Sequence, residues 1–160
     1  MTLKLKSKNK NLGFTLIELL VVVSLIGVLA TLVLSNLNAA RERGRDAQRK
    51  ADMRNLQTAL RIYYNDCGKY PINQSSNIAG CGTCGTPSLC PWGSAFETNL
   101  AVYMKKLPSD PLPDGYYVYT QIDSDDYTLE SCLENLSDED GVDDQTATWC
   151  STKWVYAVTP

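Results

Sequence analysis

The sequence has no histidine. That excludes catalytic dyads and metal sites that depend on imidazole. Acidic residues are absent from the basic leader, whose only charges are Lys4, Lys6, Lys8 and Lys10. From Phe14 to Leu34, 21 residues hold a single charge, Glu18. Residues 35–66 lack proline, and Gly44 is their only glycine. No stretch resembles a phosphate-binding loop, and no nucleophile–base or paired acid/base arrangement stands out. The chain reads as non-enzymatic, and any force it needs must come from a partner.

What is present begins with the apolar run. At about 1.5 Å of rise per residue, a helix from Phe14 to Leu34 is roughly 31 Å long, enough to cross the hydrocarbon core of a bilayer. A lone segment in lipid must be helical to satisfy its backbone. The lysines ahead of it predict a cytoplasmic N-terminus, with the rest of the chain outside. A secretory signal has its cleavage site after the apolar region. Here Gly13 precedes it, so cleavage at that point would remove the leader and keep the helix. Glu18 sits at membrane depth, where a carboxylate is costly and marks function with a partner.

The stretch Gly13-Phe14-Thr15-Leu16-Ile17-Glu18 resembles the class III signal of type IV prepilins and type II secretion pseudopilins. The resemblance implies that a dedicated membrane peptidase cuts between Gly13 and Phe14 and N-methylates Phe14. It implies that Glu18 meets the Phe14 amine of a neighbouring subunit in a helical filament, where opposite charges offset each other's burial cost. It also implies an assembly platform in the inner membrane with its ATPase, lipid contact before assembly, and an extracellular or periplasmic filament afterwards. Shorter matches in the head, Gly68-Lys69-Tyr70-Pro71 and Lys106-Leu107-Pro108 with Asp110-Pro111, are similar to the pseudopilin G branch. An uncleaved anchor that never polymerises, carrying a calcium- or ligand-binding head, is the alternative from another class.

Four segments follow: leader 1–13, transmembrane or filament-core helix 14–36, amphipathic continuation 37–66, and disulfide-stapled head 67–160. The expected fold is α+β, a long helix packed on a small antiparallel sheet of about three strands. Met53, Leu56, Leu60 and Tyr63 or Tyr64 form an apolar stripe at helical spacing. The helix should end near Cys67-Gly68, with Pro71 beyond. Strands are expected over Tyr116–Ile122, Tyr127–Leu133 and Lys153–Val158, burying Leu56 and Leu60 against residues such as Val118 and Leu129. Residues 68–95 read as an ordered loop, and Phe96–Lys106 as a short helix or turn.

The whole chain carries 15 basic and 18 acidic residues; without the four leader lysines it has 11 against 18, or −7. Such an acidic exported protein is not built around nucleic acid. Arg41, Arg43, Arg45, Arg49, Lys50 and Arg54 form a basic flank without interleaved aromatics to stack on bases. That favours pairing with acidic neighbours over the DNA contact of a competence pilus. A complement exists, because residues 123–144 hold ten carboxylates and no lysine or arginine.

Six cysteines in an exported head suggest three disulfides. Cys132 with Cys150 is the most defensible pair, while Cys67, Cys81, Cys84 and Cys90 would staple a loop with little core. A zinc site at Cys81-x-x-Cys84 lacks a second such motif and any histidine. The acidic loop 137–144 invites calcium, with Asp138, Asp140, Asp143 and Asp144 as candidate ligands, although it lacks the EF-hand pattern. The pseudopilin G resemblance points to calcium in a loop between C-terminal strands.

Overall fold

The structure is a computed structural model and describes residues 14–160, with the side chains at 32–36 outside the description. The leader and Gly13 lie outside the described residues. Helix α1 runs Leu16–Cys67. Thr15 opens it as an N-cap: the Glu18 amide donates to Thr15 Oγ1 at 3.3 Å, and the Thr15 amide and hydroxyl donate to Glu18 Oε2 at 2.9 and 2.6 Å. This is a reciprocal capping box that satisfies amides with no partner inside the helix. Gly68 closes the helix with φ +69°, its amide donating to the Tyr64 carbonyl at 2.8 Å. Glycine takes that left-handed conformation without a Cβ penalty.

The chain divides into two compact units, Met1–Asn38 and Ala39–Pro160. In the first, twelve large apolar side chains between Phe14 and Leu29 are 47–82% exposed. Among the described residues no helix is long and apolar enough to cross a membrane. The crossing expected from sequence depends on positions that continue to Leu34, beyond the described side chains.

The second unit is α+β. A four-stranded antiparallel sheet has the order β5-β6-β8-β7, formed by Val118–Gln121, Tyr127–Cys132, Trp154–Val158 and Val142–Asp143. The three expected strands are there, and β7 adds a two-residue edge. Met53, Leu56, Leu60 and Tyr63 of α1 are buried in one cluster with Tyr117, Tyr119, Tyr127 and Leu129. Val118 is buried outside that cluster. Tyrosines on either side of it in the strand alternate onto the helix-facing side, so Tyr119 takes the place expected for Val118.

Two expectations need correction. Within the supposed loop 68–95, β1 (Ile72–Gln74) pairs with β2 (Asn77–Ala79). Ser75 and Ser76 form the turn with φ 48° and 63°. Two positive-φ residues in a two-residue hairpin are what glycine or asparagine normally mark, and Ser-Ser hides the signal. Phe96–Lys106 is not helical. β3 (Phe96–Glu97) and β4 (Val102–Met104) form a hairpin with a bulge between Phe96 and Glu97. Its inward residues Phe96 and Tyr103 lie 5.4 and 5.2 Å from Tyr63, ring centre to ring centre. Burying those rings against the helix outweighs local propensity, as tertiary context often does.

Three disulfides close the second unit: Cys67–Cys84, Cys81–Cys90 and Cys132–Cys150. Cys81 and Cys84 thus belong to separate bridges and form no shared Cys-x-x-Cys site. Cys132 at the end of β6 and Cys150 border a small second cluster of Ala147, Val155 and Trp149.

Candidate functional site: a capped apolar helix and a charge-locked head

The exposed N-terminal helix and its carboxylate come first. Phe14 is 82% exposed, and Glu18 is exposed beside it. Glu18 is already engaged by Thr15 through the capping box. This local role was legible in the Thr15-x-x-Glu18 spacing, and the reading of Glu18 as a carboxylate at membrane depth passed over it. A carboxylate in the first turn also complements the positive end of the helix. A contiguous apolar surface of this size on one helix demands a cover, either lipid or other helices.

The second feature lies on the helix of the head. Arg49 is buried, its side chain 3% exposed, and it holds three carboxylates. Its Nη1 donates to Asp46 Oδ1 and to Glu134 Oε1, each at 2.7 Å. Its Nε and Nη2 donate to Asp110 Oδ2 and Oδ1 at 2.8 and 2.9 Å, a two-pronged fork. Asp46 in turn accepts the amides of Glu134 at 3.0 Å and of Asn135 at 2.8 Å. Arg45 adds a second fork to Glu134, at 2.7 and 2.5 Å. One guanidinium thus ties α1 to the Pro-rich segment through Asp110 and to the end of β6 through Glu134. Burial would lower the pKa of Arg49, but the bonds from Asp110, Glu134 and Asp46 outweigh it and hold the group charged. The hydrogen bond from Arg45 first, and then Arg49, keeps Glu134 below the usual carboxylate range despite burial. A methyl group on Gly115 would overlap the Asp110 carboxylate, so only glycine admits this approach. The basic flank was legible in the sequence but not this node; the signal available was Arg49 lying one turn after Asp46 and one turn before Met53, on the face that continues through Leu56 and Leu60.

The four calcium candidates do not converge. Asp138 Oδ1 and Asp140 Oδ2 both accept from Lys50 Nζ, at 2.5 and 2.8 Å. Asp143 accepts from the Gln145 amide group at 2.6 Å. Asp144 accepts from the Thr146 amide and hydroxyl at 2.8 and 2.6 Å. The Asp138 carbonyl, a further candidate ligand, accepts from Trp154 Nε1 at 3.1 Å. Among the described residues no group of three or more histidine, cysteine, aspartate or glutamate side chains is placed to hold a metal ion. Calcium wants six to eight oxygens around one point, and here an ammonium already stands between the two best donors. The arrangement does not fit a calcium ion.

An exposed apolar helix with an α+β head is consistent with a pilin-like fold, and comparison with known proteins agrees. The prokaryotic N-terminal methylation motif matches residues 8–34. The type II secretion system core protein G of Escherichia coli K12 is 31% identical over 149 residues, which covers 93% of this chain and 98% of that protein. The core protein G of Aeromonas hydrophila is 29% identical over 142 residues, 89% of this chain and 94% of the relative. That of Pseudomonas aeruginosa is 34% identical over 105 residues, 65% and 70% of the two chains. The chain belongs to the family of type II secretion system core protein G. No solved structure matches it.

Proposed function

We propose that the chain is a structural subunit of a type II secretion pseudopilus, anchored in the inner membrane before assembly and periplasmic as a filament. It is not an enzyme on this reading. The observation that carries the reading is the row of twelve large apolar side chains, 47–82% exposed between Phe14 and Leu29, behind a prepilin-type processing signal. Such a surface is stable only in lipid or among other apolar helices, and a pilin-like subunit meets both in turn. Before assembly the helix lies in the membrane, its N-terminus cytoplasmic by the positive charge of Lys4–Lys10. The prepilin peptidase cleaves between Gly13 and Phe14 and methylates the new N-terminus.

During assembly the helix leaves lipid for a core of like helices. Glu18 then exchanges its Thr15 contacts for the Phe14 amine of an adjacent subunit. Only the register that pairs the two charges avoids a buried lone carboxylate, which is how a single glutamate enforces order. The work of extraction falls to an assembly platform and its ATPase. The Arg49 node keeps the head rigid while the helix is pulled.

Intact-mass and N-terminal peptide mass spectrometry on protein from native membranes and sheared filaments tests this. Loss of residues 1–13 with a methyl group on Phe14 is expected. An unprocessed Met1 in the filament fraction, or no filament fraction at all, would overturn the reading.

A further inference from the structure

Five of the six cations of the basic flank fall into two sets. Arg45, Arg49 and Lys50 are consumed by carboxylates of their own chain. Arg43 and Arg54 form no ion pair among the described residues, and Arg61, farther along the helix, shares that state. All three are exposed. Their spacings of 11 and 7 residues are about three and two helical turns, so they line one face over roughly 27 Å. Ala47, Ala51 and Thr58 lie on the same face, also exposed. These small side chains leave the guanidinium groups standing clear of the backbone. No acidic residue of α1 lies on this stripe, although Lys50, between Arg43 and Arg54 on the same side, holds Asp138 and Asp140 of its own chain.

The carboxylates divide in the same way. Glu134, Asp138 and Asp140 are neutralised internally. The β5–β6 hairpin tip holds Asp123, Asp125 and Asp126 within four residues, and none has an ion-pair partner among the described residues. The tip is fixed to the far end of the helix: the Tyr70 amide donates to the Ser124 carbonyl at 2.8 Å, and Tyr64 Oη donates to Asp125 Oδ1 at 2.6 Å. From Tyr64 back to Arg54 is about 15 Å along the axis, and back to Arg43 about 31 Å. The tip is thus offset along the axis from Arg43 and Arg54, whereas Arg61, within one turn of Tyr64, lies on the same chain's side of the tip. A second copy displaced along the helix axis can bring its tip to Arg43 and Arg54.

We propose that the exposed helix face carrying Arg43 and Arg54 is a docking face for the Asp123–Asp126 hairpin tip of a second copy of this chain. The proposal rests on the filament reading and adds to it the contact between heads. Charge complementarity selects this occupant. The chain without its leader lysines carries −7, so identical heads repel unless acidic tips meet basic faces, and Arg43, Arg54 and the tip carboxylates are free of internal ion pairs among the described residues. The contact is head-to-tail and non-closing, as a filament requires. It sets which neighbours touch and how far they are offset, a specificity that charge supplies better than affinity.

The test uses the full chain expressed with its secretion machinery. Arg43→Glu with Arg54→Glu places like charges opposite each other, and sheared-filament yield should fall roughly tenfold. Asp123→Arg with Asp125→Arg should do the same, and combining the two sets should restore yield. Processing at Phe14 and the thermal midpoint are followed in every variant, which separates a failure to mature or fold from a failure to dock. A photoreactive residue at position 54 should capture the 123–126 peptide of another copy in wild-type filaments. Normal yield in the reversed stripe, or loss without rescue in the combined variant, would overturn the docking face while leaving the filament intact as a reading. Capture of peptide 139–144, of DNA or of lipid at position 54 would overturn it too. Absence of filaments from the wild-type chain would instead sink the filament reading.

Discussion

Between Phe14 and Leu29 helix α1 exposes twelve large apolar side chains, whereas between Met53 and Tyr63 it buries Met53, Leu56, Leu60 and Tyr63 completely. The two stretches differ in what surrounds them, not in helical character. The head brings its own cover, an aromatic layer of Tyr117, Tyr119, Tyr127 and Phe96, and so forms a closed core. The N-terminal stretch has no such cover from its own unit among the described residues, and so large an apolar surface needs one. A folded head can thus persist through a change of environment that the N-terminal helix undergoes. The two units should respond independently to mutation, and this independence can be broken or sharpened by experiment.

The largest effect is expected from Glu18→Ala. On the proposed assembly, in which Glu18 is the counter-charge of a neighbour's Phe14 amine, it should reduce filament yield to below about a tenth of wild type. Head stability should not change, as measured by the thermal midpoint of the main unfolding transition. Normal filaments in this variant would remove Glu18 from assembly and leave it only its capping role with Thr15, whose loss costs about 1 kcal/mol.

Arg49→Met should do the reverse. It leaves Asp46 and Asp110, each 2% exposed, without their cation. Removing one partner from a buried charge cluster costs about 3–5 kcal/mol. Urea unfolding of the detergent-solubilised chain would read this loss, with processing at Phe14 unaffected. A change below about 1 kcal/mol would mean that the node is replaceable and that the aromatic core alone holds the head.

Acid probes the same node from the other side. Hydrogen bonds from Arg45 and Arg49 lower the pKa of Glu134, and the bond from Lys50 lowers that of Asp138. A carboxylate whose folded pKa is depressed adds stability that is complete above its unfolded pKa and is lost as pH falls through the folded value. The ordinary values are 4.5 and 3.8, so the loss begins near there and continues below. Burial raises the pKa of Asp52 and Glu130, which works in the opposite sense and blunts the upper end of the transition. Thermal midpoints measured from pH 6 downward should therefore fall mainly below about pH 4. In Arg49→Met the part of that dependence due to Glu134 should weaken but persist, because the Arg45 fork remains.

Much of this comparison was legible in the residues themselves. Periodicity placed the apolar stripe of α1, and Tyr- and Val-rich runs placed β5, β6 and β8, because burial on one face leaves a regular imprint. The Gly13–Glu18 motif was legible through its resemblance to the prepilin signal, and an uncharged run with one costly carboxylate had marked the place. The hairpins β1–β2 and β3–β4 were not legible. One turns on Ser75-Ser76 without the usual residues, and the other is held by ring contacts with Tyr63, 33 residues earlier for Phe96. The Arg49 node was hidden because its carboxylates come from positions 46, 110 and 134. No local pattern announces a partner 61 or 85 residues away.

Lys50 offers the smallest effect and the sharpest distinction within the head. The acidic loop looked like a calcium site from its composition, and in the structure its two leading donors converge on Lys50 Nζ. An internal ammonium is present at fixed concentration and cannot be chelated. The thermal midpoint should then be the same in excess calcium and in excess chelator. Lys50→Met should lower stability by about 1 kcal/mol, since Lys50 and Asp138 are only partly shielded from water at 15% and 18% side-chain exposure. In that variant Asp138 and Asp140 lose their cation and repel, so added calcium should recover part of the loss. A chelator-induced drop in the wild-type midpoint would show instead that a metal ion displaces Lys50 from the loop, and the lysine would then be a stand-in that yields to it.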